Sequence, residues 1–240
     1  MSLMMLKRIL LITGWGVGTA ALQPLQNALQ HIGHTVVLLD IFNPEDDVQW
    51  QQAQQHAIDA DVLMGWSLGG QFALLLAQTL WQTTGQAKKV ITLATNPCFV
   101  QNQDWPFAMP QAEFLAFDQQ FKLNSSATLK QFYLNICRGQ PNTKQNWLTV
   151  LKTANPPEIA QLTIGLTQLK QLNLVTMLQD YPAKIHFVLA EHDALVPCQV
   201  GAEILNFASK NITIKTLNDC GHSFPMFNVE QTLQAIRPFL

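Results

Sequence analysis

The run Gly65-Trp66-Ser67-Leu68-Gly69 sets a serine between two glycines at G-x-S-x-G spacing. A serine hydroxyl is a weak nucleophile by itself. It attacks acyl carbons once a histidine takes its proton and an acid orients that histidine. The flanking residues suit this use. Asp61-Val62-Leu63-Met64 reads as a strand leading in, and Leu68, Phe72, Leu75, Leu76 and Leu80 recur at helical spacing leading out. A serine on so sharp a strand-to-helix turn must take a positive φ, and side chains two positions to either side would collide. Gly65 and Gly69 remove that collision.

The acid and base should follow the serine in that order, each at the C-terminal end of a later strand. Of the six histidines, His222 alone lies beyond both later strand patterns, in Asp219-Cys220-Gly221-His222. His186 falls inside a strand pattern, His31 and His34 flank a turn, and His56 sits on a helix; these read as packing or surface residues. Asp193 is the expected acid because it follows the strand Ile185–Ala190 and precedes Leu195-Val196-Pro197. Its competitors are Glu191, closer to the strand end, and Asp219, which shares the loop of His222 but follows the last strand. An oxyanion needs two fixed backbone donors. The expected pair is the amide of Leu68, opening the helix after the serine, and that of Trp15 in Thr13-Gly14-Trp15-Gly16. The latter run lacks the third glycine of a dinucleotide loop and the Lys-Ser/Thr of a phosphate loop.

Two alternating blocks hold these residues. Strands are expected at Arg8–Ile12, Thr35–Leu39, Val62–Trp66 and Val90–Ala94, then at Ile185–Ala190 and Ile212–Leu217. Helices lie between them: one carries Leu22, Leu25, Leu29 and Ile32, one starts near Asp47, one follows Ser67. Later come Gln199–Phe207 and a closing helix Val229–Phe239. Continuous apolar strands separated by helices imply an α/β fold, a mainly parallel sheet with helices on both faces. Between the blocks four helical stripes run without a strand. They are Phe114/Phe117/Phe121, then Leu129/Phe132/Tyr133/Ile136 capped by Ser125 or Ser126, then Trp147/Leu148/Leu151, then Ile159/Leu162/Leu166/Leu169/Leu172. The expected division is a core of 1–95 and 183–240 with a helical cap, 96–182, inserted. Trp15, Trp66, Phe99, Phe117 and Phe132 are the large apolar residues expected near the chemistry, implying an apolar acyl pocket.

Composition narrows the class. With 14 Lys+Arg against 16 Asp+Glu, the chain lacks the basic surface of a general nucleic-acid binder. Cys98, Cys137, Cys198 and Cys220 form no CxxC pair, so neither a metal site nor any other cofactor is expected. No secretory leader and no bilayer-spanning run are legible, and a cytoplasmic monomer is the expectation.

The elbow Gly65–Gly70 and Gly14-Trp15-Gly16 resemble those of the BioH-type pimeloyl-acyl-carrier-protein methyl ester carboxylesterases, members of the α/β-hydrolase superfamily. The resemblance extends to Asn96-Pro97-Cys98-Phe99, Asp104-Trp105-Pro106, Phe114–Gln120, Asp193–Pro197 and Gly221-His222. It implies an α/β-hydrolase fold with a helical cap and hydrolysis of the methyl ester on a pimeloyl chain carried by acyl carrier protein. By matching motifs it makes Ser67, Asp193 and His222 the triad and Trp15 and Leu68 the oxyanion donors, with Trp66 touching substrate. Thr13 replaces the family's usual histidine, and Asp40–Glu45 lacks its glycine-rich continuation. The family binds its acidic carrier through cap arginines, and this cap has only Arg138. Its six basic residues, Lys122, Lys130, Arg138, Lys144, Lys152 and Lys170, nevertheless face one acid, Glu158, between Gln119 and Gln179. Lys122, Lys130, Arg138 and Lys152 are the expected docking residues. A general esterase for short acyl esters is the alternative, since fold never fixes substrate.

Overall fold

The computed structural model describes residues 6–207 and 210–240; Met1 to Met5, which the reading of the N-terminus includes, lie outside. Strands and helices alternate at first: β1 (Arg8–Ile12), α1 (Gln23–His31), β2 (Thr35–Leu39), α2 (Asp47–Asp59), β3 (Val62–Trp66), α3 (Leu68–Thr84) and β4 (Lys89–Leu93). Four helices follow, α4 (Gln111–Leu123), α5 (Ser125–Cys137), α6 (Thr143–Thr153) and α7 (Ile159–Gln171), then one turn, α8 (Met177–Asp180). Alternation resumes with β5 (Ile185–Ala190), α9 (Val200–Phe207), β6 (Ile212–Leu217), α10 (Phe224–Phe227) and α11 (Val229–Ile236).

The strands lie in the order β2-β1-β3-β4-β5-β6, and every neighbouring pair is parallel. The uninterrupted apolar runs occupy the middle. β3 and β5 are buried at every residue, β1 and β4 at all but the first, while the edge strands β2 and β6 mix buried and exposed positions. Helices on both faces account for this contrast. The chain leaves β1 toward β2 on one side, and β3 lies on the other. That reversal opens a crevice at the C-terminal ends of β1 and β3. Thr13 to Trp15 and Ser67 stand at its two edges.

Local chemistry shifts several boundaries. Ala94 leaves β4 with φ 49, so the strand ends one residue early. The cap of α5 is Asn124, whose side chain accepts the Ala127 N–H at 3.0 Å, in place of Ser125 or Ser126. A side-chain carbonyl one residue earlier reaches the open N–H groups of the first turn. Ile159 faces solvent while Leu162 and Leu166 carry the packing of α7. The closing helix tightens at Arg237–Phe239, where Pro238 supplies no N–H.

His186 is a core residue of β5. Its ring stacks on Phe239 at 3.5 Å and its Nδ1 meets Thr213 Oγ1 at 2.8 Å. Burial pushes its pKa down to about 4 from the usual 6.5. Between those values the unfolded chain binds more protons than the folded one, so stability falls as pH drops through 6.5 and levels off near 4. The expected loss is on the order of 3 kcal/mol. Urea midpoints measured across this range should fall for the wild type and much less for His186→Gln; parallel curves would reject the assignment.

Candidate active site

The elbow is built as the glycine spacing requires. Ser67 sits at φ 56, ψ −123 at the head of α3. Its N–H donates to Leu93 O at 2.8 Å, and its carbonyl accepts Thr95 Oγ1 at 3.0 Å and Gly70 N at 2.9 Å. A Cβ at Gly65 would strike the carbonyl of Gly69, and one at Gly69 would strike the carbonyl of Thr13. These contacts are to backbone that cannot step aside, so the unfavourable φ is over-determined.

Three loops bring the polar side chains together. His222 Nε2 lies 3.0 Å from Ser67 Oγ, and His222 Nδ1 lies 2.8 Å from Asp193 Oδ2. The other carboxylate oxygen of Asp193 accepts the amides of Leu195 and Val196 at 2.8 and 2.9 Å. Asp193 is thus held through both oxygens, and with His222 its side chain is sealed from solvent. Glu191 and Asp219 stay outside this chain of bonds. With His192 they form an exposed cluster, the sole group of three among the described residues placed to surround a cation.

Beyond Ser67 opens a cavity of about 280 Å³ lined by Trp15, Phe99, Phe114, Phe117, Phe132 and Leu169 among others. Phe99, Phe117 and Phe132 therefore stand where the acyl pocket was expected. Trp66 does not. Its indole is wholly buried behind the histidine, with Nε1 donating to His222 O at 2.8 Å and the rings 5.2 Å apart. Alternation along β3 turns Trp66 away from the cavity, and Gly14 makes room for its ring. Its contact is with the histidine loop rather than with anything in the cavity.

Two backbone amides close to Ser67 in the fold are without an acceptor among the described residues. Leu68 is the first residue of α3, where no intrahelical acceptor exists. Among the described residues neither its N–H nor that of Trp15 has an assigned protein acceptor. The departure at Thr13 is locally satisfied. Its hydroxyl donates to Asp40 Oδ1 at 2.8 Å, and the same oxygen accepts Ile41 N. Burial nevertheless raises the Asp40 pKa. The reshaped loop then packs Phe42 on Phe72, with centroids 4.5 Å apart.

The chain matches the profile of the Alpha/beta hydrolase family over residues 9–235. It is 30% identical to the pimeloyl-[acyl-carrier protein] methyl ester esterase of Xylella fastidiosa (strain M12), across 97% of this chain and 94% of that protein. It belongs to the alpha/beta hydrolase family, among these methyl ester esterases. The enzyme of the same name from Shewanella sp. (strain MR-7) is 29% identical to this hydrolase over 97% of the chain and 90% of its own. The fold also matches an esterase from Exiguobacterium antarcticum with a TM-score of 0.78, at 15% identity, over 97% of this hydrolase and 91% of that chain.

In this hydrolase the inserted helices grip the first loop in ways that spacing did not reveal. Trp15 Nε1 donates to Leu162 O at 2.8 Å, and its ring packs edge-on against Phe117, Phe121 and Phe132. Tyr133 donates its hydroxyl to Gly16 O at 2.8 Å. Asn155 donates its backbone N–H to Val17 O, and its side-chain oxygen accepts Ala20 N. The sequence offered only helix-face residues at Tyr133 and Leu162 and no signal at Asn155. Of the expected docking residues, Lys122 is paired with Asp118 at 2.6 Å. Lys130, Arg138 and Lys152 are exposed and have no ion pair among the described residues. No helix among the described residues is long and apolar enough to cross a membrane.

Tyr133→Phe should leave Gly16 O buried without its donor and cost about 1–2 kcal/mol of stability. Hydrogen exchange should quicken at the Trp15–Gly18 amides more than in β3. Uniform exchange across both segments would argue against a local clamp.

Proposed function

We propose that this protein is a cytoplasmic, monomeric serine carboxylesterase that hydrolyses the methyl ester of pimeloyl-acyl-carrier protein, yielding pimeloyl-acyl-carrier protein and methanol for biotin synthesis. The observation carrying the reading is the bonded series Ser67 Oγ, His222, Asp193 opening onto an apolar cavity in a chain related to methyl ester esterases. His222 takes the Ser67 proton through Nε2, while Asp193 fixes the ring by accepting from Nδ1. Ser67 attacks the ester carbonyl, and the oxyanion is met by the amides of Trp15 and Leu68 at the positive end of α3. The protonated His222 then hands its proton to the departing methoxide. Water, activated by the same histidine, resolves the acyl-enzyme.

In this reading 1–95 and 183–240 form the catalytic core, and 96–182 caps the acyl chain. Phe99, Phe117 and Phe132 hold the methylenes, whose transfer from water supplies binding energy of about 0.8 kcal/mol each. Lys130, Arg138 and Lys152 steer the acidic carrier; Lys122 contributes less because Asp118 neutralises it. A general esterase for short acyl esters would share all of the machinery except this docking.

Ser67→Ala and His222→Ala should each cut methanol release by about 10⁴- to 10⁶-fold, and the double variant should fall little further. Residual turnover in Ser67→Ala close to wild type would refute the nucleophile. Complementation of a biotin auxotroph lacking this step separates the carrier-bound substrate from a general ester. Charge reversal at Lys130, Arg138 and Lys152 together should weaken carrier binding, as should added salt. Binding indifferent to both would remove the docking role.

A further inference from the structure

One charged side chain lines the cavity, and it is chemically out of place. Among the described residues of the lining, Glu113 alone carries a charge. It stands in the first turn of α4, exposed, and its carboxylate has no hydrogen-bond or ion-pair partner among the described residues. Its position is also singular in shape. A second groove of about 470 Å³ runs between the segment Pro106–Pro110 and α9, and Met109, Glu113 and Leu195 line both spaces. The groove contains a second acid, Glu203, and no base. Glu113 therefore stands where the acyl cavity and a groove lined by two acids adjoin.

An ester held with its carbonyl at Ser67 runs along the apolar lining and presents its far end toward that edge. If the far end is a thioester or another neutral group, Glu113 is indifferent to it. If it is a free carboxylate, two anions meet at the cavity edge and repel, the more so at low ionic strength. We propose that Glu113 is a specificity-determining residue, a charge filter that rejects half-esters of free dicarboxylic acids and favours chains whose distal carboxyl is masked. The assignment rests on the proposed esterase reading and adds to it a reason for selecting masked chains that is independent of carrier docking. Negative selection of this kind needs no attractive contact to the preferred substrate.

The test compares methanol release from the monomethyl and dimethyl esters of a seven-carbon dicarboxylic acid, using the intact purified protein. The readout is the ratio of kcat/KM for the monomethyl to the dimethyl ester. Glu113→Gln should raise that ratio about three- to tenfold at low salt, Glu113→Lys should raise it further, and high salt should shrink both changes. A ratio unmoved by either variant, or a change insensitive to salt, overturns the filter. Should the wild type release no more methanol from the dimethyl ester than Ser67→Ala does, the esterase reading itself fails, and that outcome is separate from the other.

Discussion

Everything around the reaction centre depends on a single backbone conformation, the positive φ of Ser67. An L-residue resists that geometry, and it persists because the neighbours leave no alternative. Gly65 and Gly69 allow the strand and helix backbones to touch, the serine amide is tied to β4, and its carbonyl is tied to Thr95 and Gly70. The result aims Oγ out of the sheet at the crevice while the N-terminus of α3 points at the same space. A relaxed serine there would lose both the histidine and the helix dipole.

The second constraint runs through α5. Tyr133 near its middle holds the Gly16 carbonyl, and Ile136 near its end accepts the amide of Ser223, next to His222. Just beyond the helix, the Arg138 carbonyl fits against Gly221 so closely that no Cβ could stand there. One inserted helix thus braces the loop of the proposed oxyanion donor and the loop of the proposed base. Its Phe132 also lines the cavity. The cavity wall and the loops beside Ser67 and His222 therefore share one helix.

Much of this was legible beforehand. Five of six strands begin and end where the sequence predicts; β1, β3 and β5, covered on both faces, leave an unbroken apolar signature, while the edge strands β2 and β6 are rich in β-branched residues. Asp193 and His222 could be chosen by strand order alone, since a parallel sheet puts all C-terminal strand ends on one edge. The departures follow in the same terms. Trp66 adjoins the serine in sequence, yet alternation sends neighbouring side chains to opposite faces, and its ring went behind His222. Asn124 displaced Ser125 and Ser126 as a cap because one residue of phase decides which side chain reaches the open amides. Lys122 pairs with Asp118 one turn away on the same helix, a contact that a count of charges does not show.

The sequence by itself determined what backbone sterics and hydrophobic burial determine: a parallel sheet, an elbow that only glycines permit, and the order of its partners. These rules act over a few residues or follow from repeated pattern, so one chain suffices to read them. Tertiary structure decided the clamp on Trp15, the fate of Trp66 and the lone acid at the cavity edge. Those outcomes join residues more than a hundred positions apart, as from Trp15 to Leu162 or Gly16 to Tyr133. No local periodicity encodes such pairs, because their energy exists only once the cap has closed over the sheet.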